Sequence, residues 1–212
     1  MGSNRRIGAE DSATRTALLD AARELMLEEG YAAVTSRRVA AKAGLKPQLV
    51  HYYFRTMDDL FVALVRRGAE QSLERQARAL ASDRPLHALW EISTDRAGAM
   101  LTMELSALGN HRKVIRAELA RYAEQFRRLQ HEALEPVLAG YGLDADALPT
   151  DALLMVATAV SQILAMEHVL GMTTGHAEVR ELVGGLLDRY ERTGKHGRTL
   201  TRGPRSPRRR SG

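Results

Sequence analysis

The sequence predicts an all-α protein, with an N-terminal three-helix helix-turn-helix domain followed by a larger helical domain, about nine helices in all. Between residues 11 and 192, apolar residues recur at helical spacing and no run of alternating β-branched residues occurs. Gly and Pro fall where the helices would end or begin. Aromatic residues make up only 5% of the 212 residues, which disfavours a β-sandwich or a β-barrel.

The first three predicted helices are short and clearly bounded, at residues 11–30, 36–44 and 47–53. Asp11 or Ser12 can cap the first helix, and Gly30 ends it. The second helix starts after Thr35 and ends at Gly44. A short turn containing Gly44 then leads into the third helix, which is the helix-turn-helix arrangement.

Longer helices are predicted in the rest of the chain. Thr56 can cap the fourth helix, and Asp58 and Asp59 lie at the positive end of its dipole. The predicted long helices cover residues 58–81, 85–93, 96–108, 111–139, 150–170 and 177–191.

These boundaries divide the chain into a disordered N-terminus (1–10), a helix-turn-helix domain (11–57), a larger helical domain (58–192) and a basic disordered tail (193–212). The formal net charge is +5, but eight of the 31 Lys and Arg residues follow Glu191. The remaining 23 basic residues face 26 acidic ones, so the overall charge is a poor argument for nucleic-acid binding. The tail either adds non-specific phosphate contacts or is simply a soluble end, and we favour the second interpretation.

Several function classes are disfavoured. The chain has no cysteine, which excludes disulfides, thiolate catalysis and cysteine-based zinc sites. No two of the seven His residues lie three or four positions apart, and no nucleophile elbow, phosphate-binding loop or dinucleotide fingerprint occurs. We therefore expect no enzyme activity, no metal site and no cofactor.

The sequence also bears on localisation. The N-terminus lacks the apolar run of a secretion signal. The most apolar stretch, residues 152–166, is short for a membrane span and is followed at once by Glu167 and His168. We expect a cytoplasmic protein with no membrane partner.

The helix-turn-helix segment offers side chains suited to reading DNA. Leu49, Val50, Tyr53 and Phe54 would anchor the third helix and leave its other face outward. Glutamine can pair with a base edge, lysine and arginine can bind phosphate, and tyrosine or histidine offers a ring with a polar tip. The candidate DNA-binding residues are Thr35, Arg37, Lys46, Gln48, His51, Tyr52 and Arg55.

Residues 18–65 resemble the DNA-binding domain of the TetR family. The resemblance rests on a Thr cap, an apolar-Ala pair, an Ala-Gly turn, a Tyr-x-x-Phe block and the start of the fourth helix. These features fall on Thr35, Val39-Ala40, Ala43-Gly44, His51-Tyr52-Tyr53-Phe54 and Met57-Asp58-Asp59-Leu60. The match covers about a quarter of the chain.

Two positions depart from the family pattern. His51 stands where the family usually has Tyr, and it still presents a flat ring. Met57 stands where a Lys commonly holds a phosphate. We therefore expect Arg55 or the backbone amides of the fourth helix to carry more of that contact.

The resemblance assigns ligand binding and dimerisation to residues 58–192. Helix 150–170 is apolar nearly all round, so both of its sides must be covered. The last helix has an apolar stripe, and Gly184 and Gly185 allow another helix to approach closely. We favour a four-helix dimer interface over a role for both helices in the core of one chain. The candidate interface residues are Val160, Ile163, Leu164, Val179, Leu182, Val183 and Leu186.

The effector site is less well defined by sequence. Methionines adapt to irregular apolar ligands, and Glu104 or His168 could orient a polar group. The candidate ligand-binding residues are Trp90, Met100, Met103, Glu104, Met155 and His168.

The resemblance implies a repressor that binds a palindromic double-stranded DNA operator as a homodimer. A small-molecule effector, whose identity the sequence leaves open, would release the operator when the fourth helix swings. The alternative is a helical protein-interaction module without sequence-specific DNA binding.

Overall fold

The computed structural model describes residues 13–142 and 148–199, with side chains described as far as Glu191. Over these residues the chain forms nine α-helices and one 3-10 turn, Tyr31–Ala33, and no β-strand. The all-α prediction is therefore confirmed. The helices are α1 (Ala13–Glu29), α2 (Ser36–Lys42), α3 (Pro47–Tyr53), α4 (Met57–Leu80), α5 (Pro85–Ser93), α6 (Arg96–His111), α7 (Lys113–Gly140), α8 (Thr150–Val169) and α9 (His176–Thr199).

The turn between α2 and α3 is a Schellman cap. Gly44 has φ +67°, in the left-handed region that favours glycine. Its amide donates to the Ala41 carbonyl at 3.1 Å, and the amide of Leu45 donates to the Ala40 carbonyl at 2.8 Å. Pro47 then begins α3, where a missing N–H costs nothing. These local bonds fix the direction in which α3 leaves α2.

A capping box starts α4. The Thr56 hydroxyl accepts from the Asp59 amide at 3.1 Å, and the Asp59 carboxylate accepts from the Thr56 amide at 3.0 Å. The first half of the helix then buries Leu60, Phe61 and Leu64. Because α4 also packs against α5 and α7, it belongs to both halves of the molecule.

One hydrophobic core joins the two halves. Buried residues of α1 to α4, such as Leu18, Val50 and Phe61, form a single cluster with Leu108 of α6 and Ile115 of α7. Ile115 is fully buried. The helix-turn-helix domain therefore rests on α6 and α7 through continuous apolar packing, which transmits small displacements.

Some boundaries differ from the predicted ones. Helix α6 continues to His111, and α7 starts at Lys113. Helix α9 starts at His176 and continues to Thr199, into the segment that we expected to begin the disordered tail at residue 193. Residues 1–12 and 200–212 lie outside the described part of the chain, as does the predicted cap Ser12.

Helix α5 is capped by a side chain of α9. Arg84, at the N-cap position, makes no side-chain cap, and Pro85 has no amide hydrogen. The buried Glu191 carboxylate instead accepts from the Leu86 amide at 2.8 Å and from the His87 ring at 2.5 Å. This contact anchors the middle of α9 on the rest of the chain.

Helix α8 has one buried face and one exposed apolar face. Ser161, Leu164 and Ala165 are buried. The opposite side exposes apolar side chains along its full length: Met155, Val156, Ile163, Met166 and Leu170. By length and mean hydropathy (1.5) this helix could cross a membrane, and only 17% of its apolar window is buried. Exposed apolar faces of this size are typical of surfaces that contact another molecule.

Candidate DNA-binding surface and effector cleft

The outer face of α3 and its flanks carries the predicted DNA-binding residues. All seven side chains are exposed. On the helix itself, Gln48, His51 and Tyr52 are three and four positions apart, so they share one face. Tyr52 is 49% exposed, a large fraction for an aromatic side chain.

Packing beneath this face holds α3 in place. Val50 and Phe54 are buried in the core, and Phe54 also lies beneath the guanidinium of Arg15, 5.2 Å from the ring centre. The ring of Tyr53 meets that of Tyr52 edge-on, with 5.0 Å between centroids. The exposed face of α3 that carries Gln48, His51 and Tyr52 is therefore held in a fixed orientation by the packing beneath it.

Cationic groups at this surface are not neutralised by the protein. The side chains of Arg37, Lys46 and Arg55 have neither an ion-pair nor a hydrogen-bond partner among the described residues. Their neighbours on α2 differ: Arg38 pairs with Glu29, and Lys42 pairs with Glu28 at 2.8 Å and with Glu24 at 3.5 Å. The Glu28 hydrogen bond raises the pKa of Lys42 above its usual value. The three unpaired charges favour an anionic partner here.

The N-termini of α2 and α4, which lie near this surface, differ in charge. The Thr35 hydroxyl caps α2 by accepting from the Arg38 amide at 3.4 Å, and its proton remains free to donate. The first turn of α4 contains Asp58 and Asp59, and Asp58 pairs with Arg112. Two carboxylates make this helix start a poor phosphate site, which favours Arg55 over the α4 amides.

A cleft lies between the start of α6 and the inner faces of α8 and α9. Its volume is about 210 Å³. The lining residues are Thr94, Arg96, Ser161, Leu164, Ala165, His168 and Arg180.

Only His168 of the six predicted effector residues lines this cleft. Met155 points away from it, 56% exposed on the outer side of α8, and Met103 is also exposed. Trp90 and Met100 are half-buried elsewhere. The structure therefore does not bring the predicted set together.

Glu104 has a structural partner instead of a free carboxylate. It accepts a hydrogen bond from the Tyr31 amide at 2.7 Å, across 73 positions of sequence. Gly30, with φ +81°, ends α1 at this point, and a Cβ there would lie 3.3 Å from the Glu104 carboxylate. Glu104 therefore caps the end of α1 from α6, and its assignment to an effector site stays a prediction.

The predicted interface residues divide between two surfaces. Ile163, Leu182 and Leu186 are 49%, 65% and 41% exposed. Val160, Val179 and Val183 are half-buried beside them. Leu164 is only 5% exposed and lines the cleft instead of sharing this exposed face. Its place in a dimer interface stays a prediction.

Helix α9 presents an open surface around its exposed Leu182 and Leu186. A Cβ added at Gly184 or Gly185 would meet nothing within 4 Å. In the described chain, therefore, neither glycine is required by intrachain packing.

Across the described residues, no three His, Asp or Glu side chains form a group that could hold a metal ion.

Residues 18–64 match the sequence profile described as bacterial regulatory proteins, tetR family. The matched segment contains α2 and α3 complete, with the Schellman turn between them. The N-terminal domain belongs to the TetR family. This family consists of bacterial regulatory proteins.

A curated relative shares this TetR-family domain. The HTH-type transcriptional regulator BetI of Rhizobium meliloti (strain 1021) is 40% identical over 52 residues, which is 24% of this chain. The alignment spans about a quarter (26%) of the length of BetI. The likeness to BetI therefore concerns the DNA-binding domain.

Solved structures show that the TetR-family fold extends over most of the chain. A TetR-family transcriptional regulator from Rhodococcus sp. superposes with TM-score 0.66 at 18% identity, covering 82% of this chain and 96% of its own. The multidrug binding protein EbrR, complexed with imidazole, gives TM-score 0.53 at 24% identity, covering 83% and 96%. At these identities the likeness establishes the fold.

Sequence reasoning missed two arginines of the cleft. Arg96 and Arg180 lie on different helices, 84 positions apart. In the sequence, each is indistinguishable from an ordinary solvent-exposed arginine. His168 gave the only local signal, because it follows a long apolar run.

Proposed function

We propose that the protein is a transcriptional repressor that binds a palindromic operator as a homodimer and releases it when a small molecule binds. The exposed face of α3, with three unpaired cationic side chains around it, carries the proposal. A reading helix flanked by phosphate-binding groups is the arrangement by which helix-turn-helix proteins dock in the major groove.

The contacts divide into two kinds. Gln48 and Tyr52 point from the centre of α3 and read base edges, Gln48 by paired hydrogen bonds. Arg37, Lys46 and Arg55 lie around them and hold phosphates, as does the Thr35 hydroxyl. Arg55 replaces the phosphate contact that the family usually makes from the position of Met57. His51 lies beside Tyr52 and contacts the edge of the site.

A second copy of the chain covers the exposed faces of α8 and α9. The two faces are apolar, and Gly184 and Gly185 leave space for a helix to approach closely. A partner copy explains why a helix of membrane-like hydropathy occurs beside a polar cleft in this fold. A twofold dimer presents two reading helices, so its operator is palindromic.

An effector acts on the larger domain and changes the position of α3 through the shared core. Two contacts join the halves beside that core, Glu104 with the Tyr31 amide and Arg67 with Asp20 at 2.5 Å. Arg112 also holds the start of α4 through Asp58. EbrR, of similar fold, is a multidrug binding protein. Ligand binding that favours one arrangement of α4 and α6 alters the distance between the two α3 helices of the dimer.

A protein-interaction module without DNA binding is the second candidate, and the charge distribution disfavours it. Residues 1–191 are net acidic, yet the cationic side chains around the α3 face are unpaired.

A role in DNA binding and transcription would place the protein in the cytoplasm, with no membrane partner. The basic tail is assigned no part in sequence recognition.

Selection of bound fragments from the protein's own genomic DNA tests the function. The selection uses ionic strength of about 0.15 M, near physiological, because non-specific binding depends steeply on salt. We expect recovered fragments to share an inverted repeat with half-site centres about one helical turn apart. Recovery of fragments without any shared sequence would contradict the proposal and favour the interaction module.

A further inference from the structure

The cleft between α6, α8 and α9 is positively charged. Arg96 and Arg180 line it from two different helices, and His168 lines it from a third. No Asp or Glu is among its lining residues. Leu164 and Ala165 give it an apolar wall on the buried side of α8.

Both guanidinium groups are unused by the protein. Neither Arg96 nor Arg180 has an ion pair or a hydrogen bond within the described part of the chain. Arginines close by on α4 and before α5 are paired: Arg75 contacts Asp95 at 3.4 Å, and Arg84 contacts Glu191 at 3.1 Å. Two unpaired guanidinium groups from different helices therefore line one cleft.

The hydroxyl groups of the cleft are already committed as donors. Ser161 donates to the Thr158 carbonyl at 2.9 Å, and Thr94 donates to the Trp90 carbonyl at 3.0 Å. A ligand that only accepts hydrogen bonds can therefore use the two arginines and the His168 ring. This donor set matches a carboxylate, which arginine binds in planar, often bidentate, geometry.

We propose that this cleft binds a small carboxylic acid anion with a compact apolar body. Arg96 and Arg180 bind the carboxylate, and Leu164 and Ala165 contact the apolar part. A cleft of about 210 Å³ has room for a small molecule such as benzoate. The inference deepens the proposed function, because it names the chemical class of the effector.

The position of the cleft connects the ligand to both functional surfaces. Its α8 residues Ser161 and Ala165 lie opposite Ile163, on the exposed face proposed for the partner copy. On α6, Arg96 lies about two turns before Glu104, which holds the Tyr31 amide. A carboxylate that draws Arg96 toward Arg180 therefore acts on α6, the helix that supports the helix-turn-helix domain.

Calorimetric titration of the full chain with four probes tests the proposal. The probes are benzoate, butyrate, benzamide and inorganic phosphate. We expect saturable binding of the two carboxylates and none of benzamide, which has the shape of benzoate without its charge. Arg96→Gln and Arg180→Gln are each expected to weaken carboxylate binding about tenfold or more, the usual contribution of a charge-assisted pair. Arg128→Gln, an exposed and unpaired arginine of α7, is the matched control and should bind as wild type does.

Three results would overturn the proposal. These are no saturable binding of either carboxylate, carboxylate binding by both cleft variants that is as tight as that of wild type, or phosphate binding more tightly than benzoate. DNA binding of the ligand-free protein is measured on the same samples. Failure of carboxylate binding with intact DNA binding removes only this inference, whereas carboxylate binding without DNA binding removes the proposed function.

Discussion

The carboxylate of Glu104 accepts a hydrogen bond from the backbone amide of Tyr31 at 2.7 Å, which joins α6 to the end of α1. In a Schellman cap the amide after the glycine returns to its own helix. Here Gly30 donates to the Met26 carbonyl at 3.0 Å, but the Tyr31 amide turns to Glu104 instead. The larger domain therefore supplies a missing cap to the DNA-binding domain.

Glu104→Ala should lower the free energy of unfolding by about 1–3 kcal/mol, because it leaves the part-buried Tyr31 amide without its acceptor. Glu104→Gln keeps an acceptor oxygen and should retain most of the stability. Urea unfolding of the three proteins measures the difference. A Glu104→Ala protein as stable as wild type would show that the contact contributes nothing.

Two glycine-to-alanine substitutions should change the free energy of unfolding in opposite directions. Gly44→Ala places a side chain at φ +67°, which costs about 1–2 kcal/mol although no atom lies within 4 Å of the new Cβ. Gly68→Ala, inside α4 and equally unobstructed, should stabilise by about 0.5–1 kcal/mol, because alanine is the better helix former. Denaturant midpoints of both variants provide the check, and equal shifts of the same sign would contradict the assigned backbone conformation.

Acid should weaken the contact between α4 and α7. Hydrogen bonds from Arg121 and from Arg66 hold the pKa of Glu118 below its usual value. A lowered folded-state pKa means that the stabilisation is present above the unfolded pKa of about 4.3 and is lost as the pH falls through the folded value.

Glu118→Gln should therefore destabilise the protein at neutral pH and make little difference once Glu118 is protonated in wild type. Thermal unfolding across this pH range compares the two proteins. A difference in melting temperature that stayed constant down to the lowest pH would exclude a charge-based contribution from Glu118.

Introducing charge into the exposed apolar face should dissociate the proposed dimer. Ile163→Glu combined with Leu182→Glu removes apolar contact and places like charges together at a twofold interface, so we expect dimer affinity to fall by about 100-fold or more. Val114→Glu, an equally exposed apolar position at the start of α7, is the control. Sedimentation velocity measures the three proteins, and an unchanged dimer in the double variant would place the interface elsewhere.

The DNA-binding half was predictable because its local signals are strong. Helix α3 occupies residues 47–53 as predicted, since Gly44 and Pro47 bound it on one side and the Thr56 cap follows it. The three candidate contacts on α3, Gln48, His51 and Tyr52, are exposed because the apolar residues of that helix occupy its other face.

The larger domain was less predictable because its sites depend on how helices pack. Glu104 pairs with a backbone amide 73 positions away, and no sequence pattern marks such an acceptor. Leu164 and Ile163 are adjacent in sequence, yet one is buried and the other half-exposed. An apolar helix with no polar stripe gives no indication of which side faces the core.

Affinity for the selected operator, measured by fluorescence anisotropy at a fixed ionic strength, tests the central claim most directly. The proteins compared are wild type, Gln48→Ala/Tyr52→Ala, and Gln71→Ala, whose exposed side chain lies on α4 away from the reading face. Loss of two base contacts should weaken operator binding by about 100-fold and leave non-specific binding nearly unchanged, because the phosphate contacts remain. Equal operator affinity in wild type and the double variant would contradict DNA reading by α3.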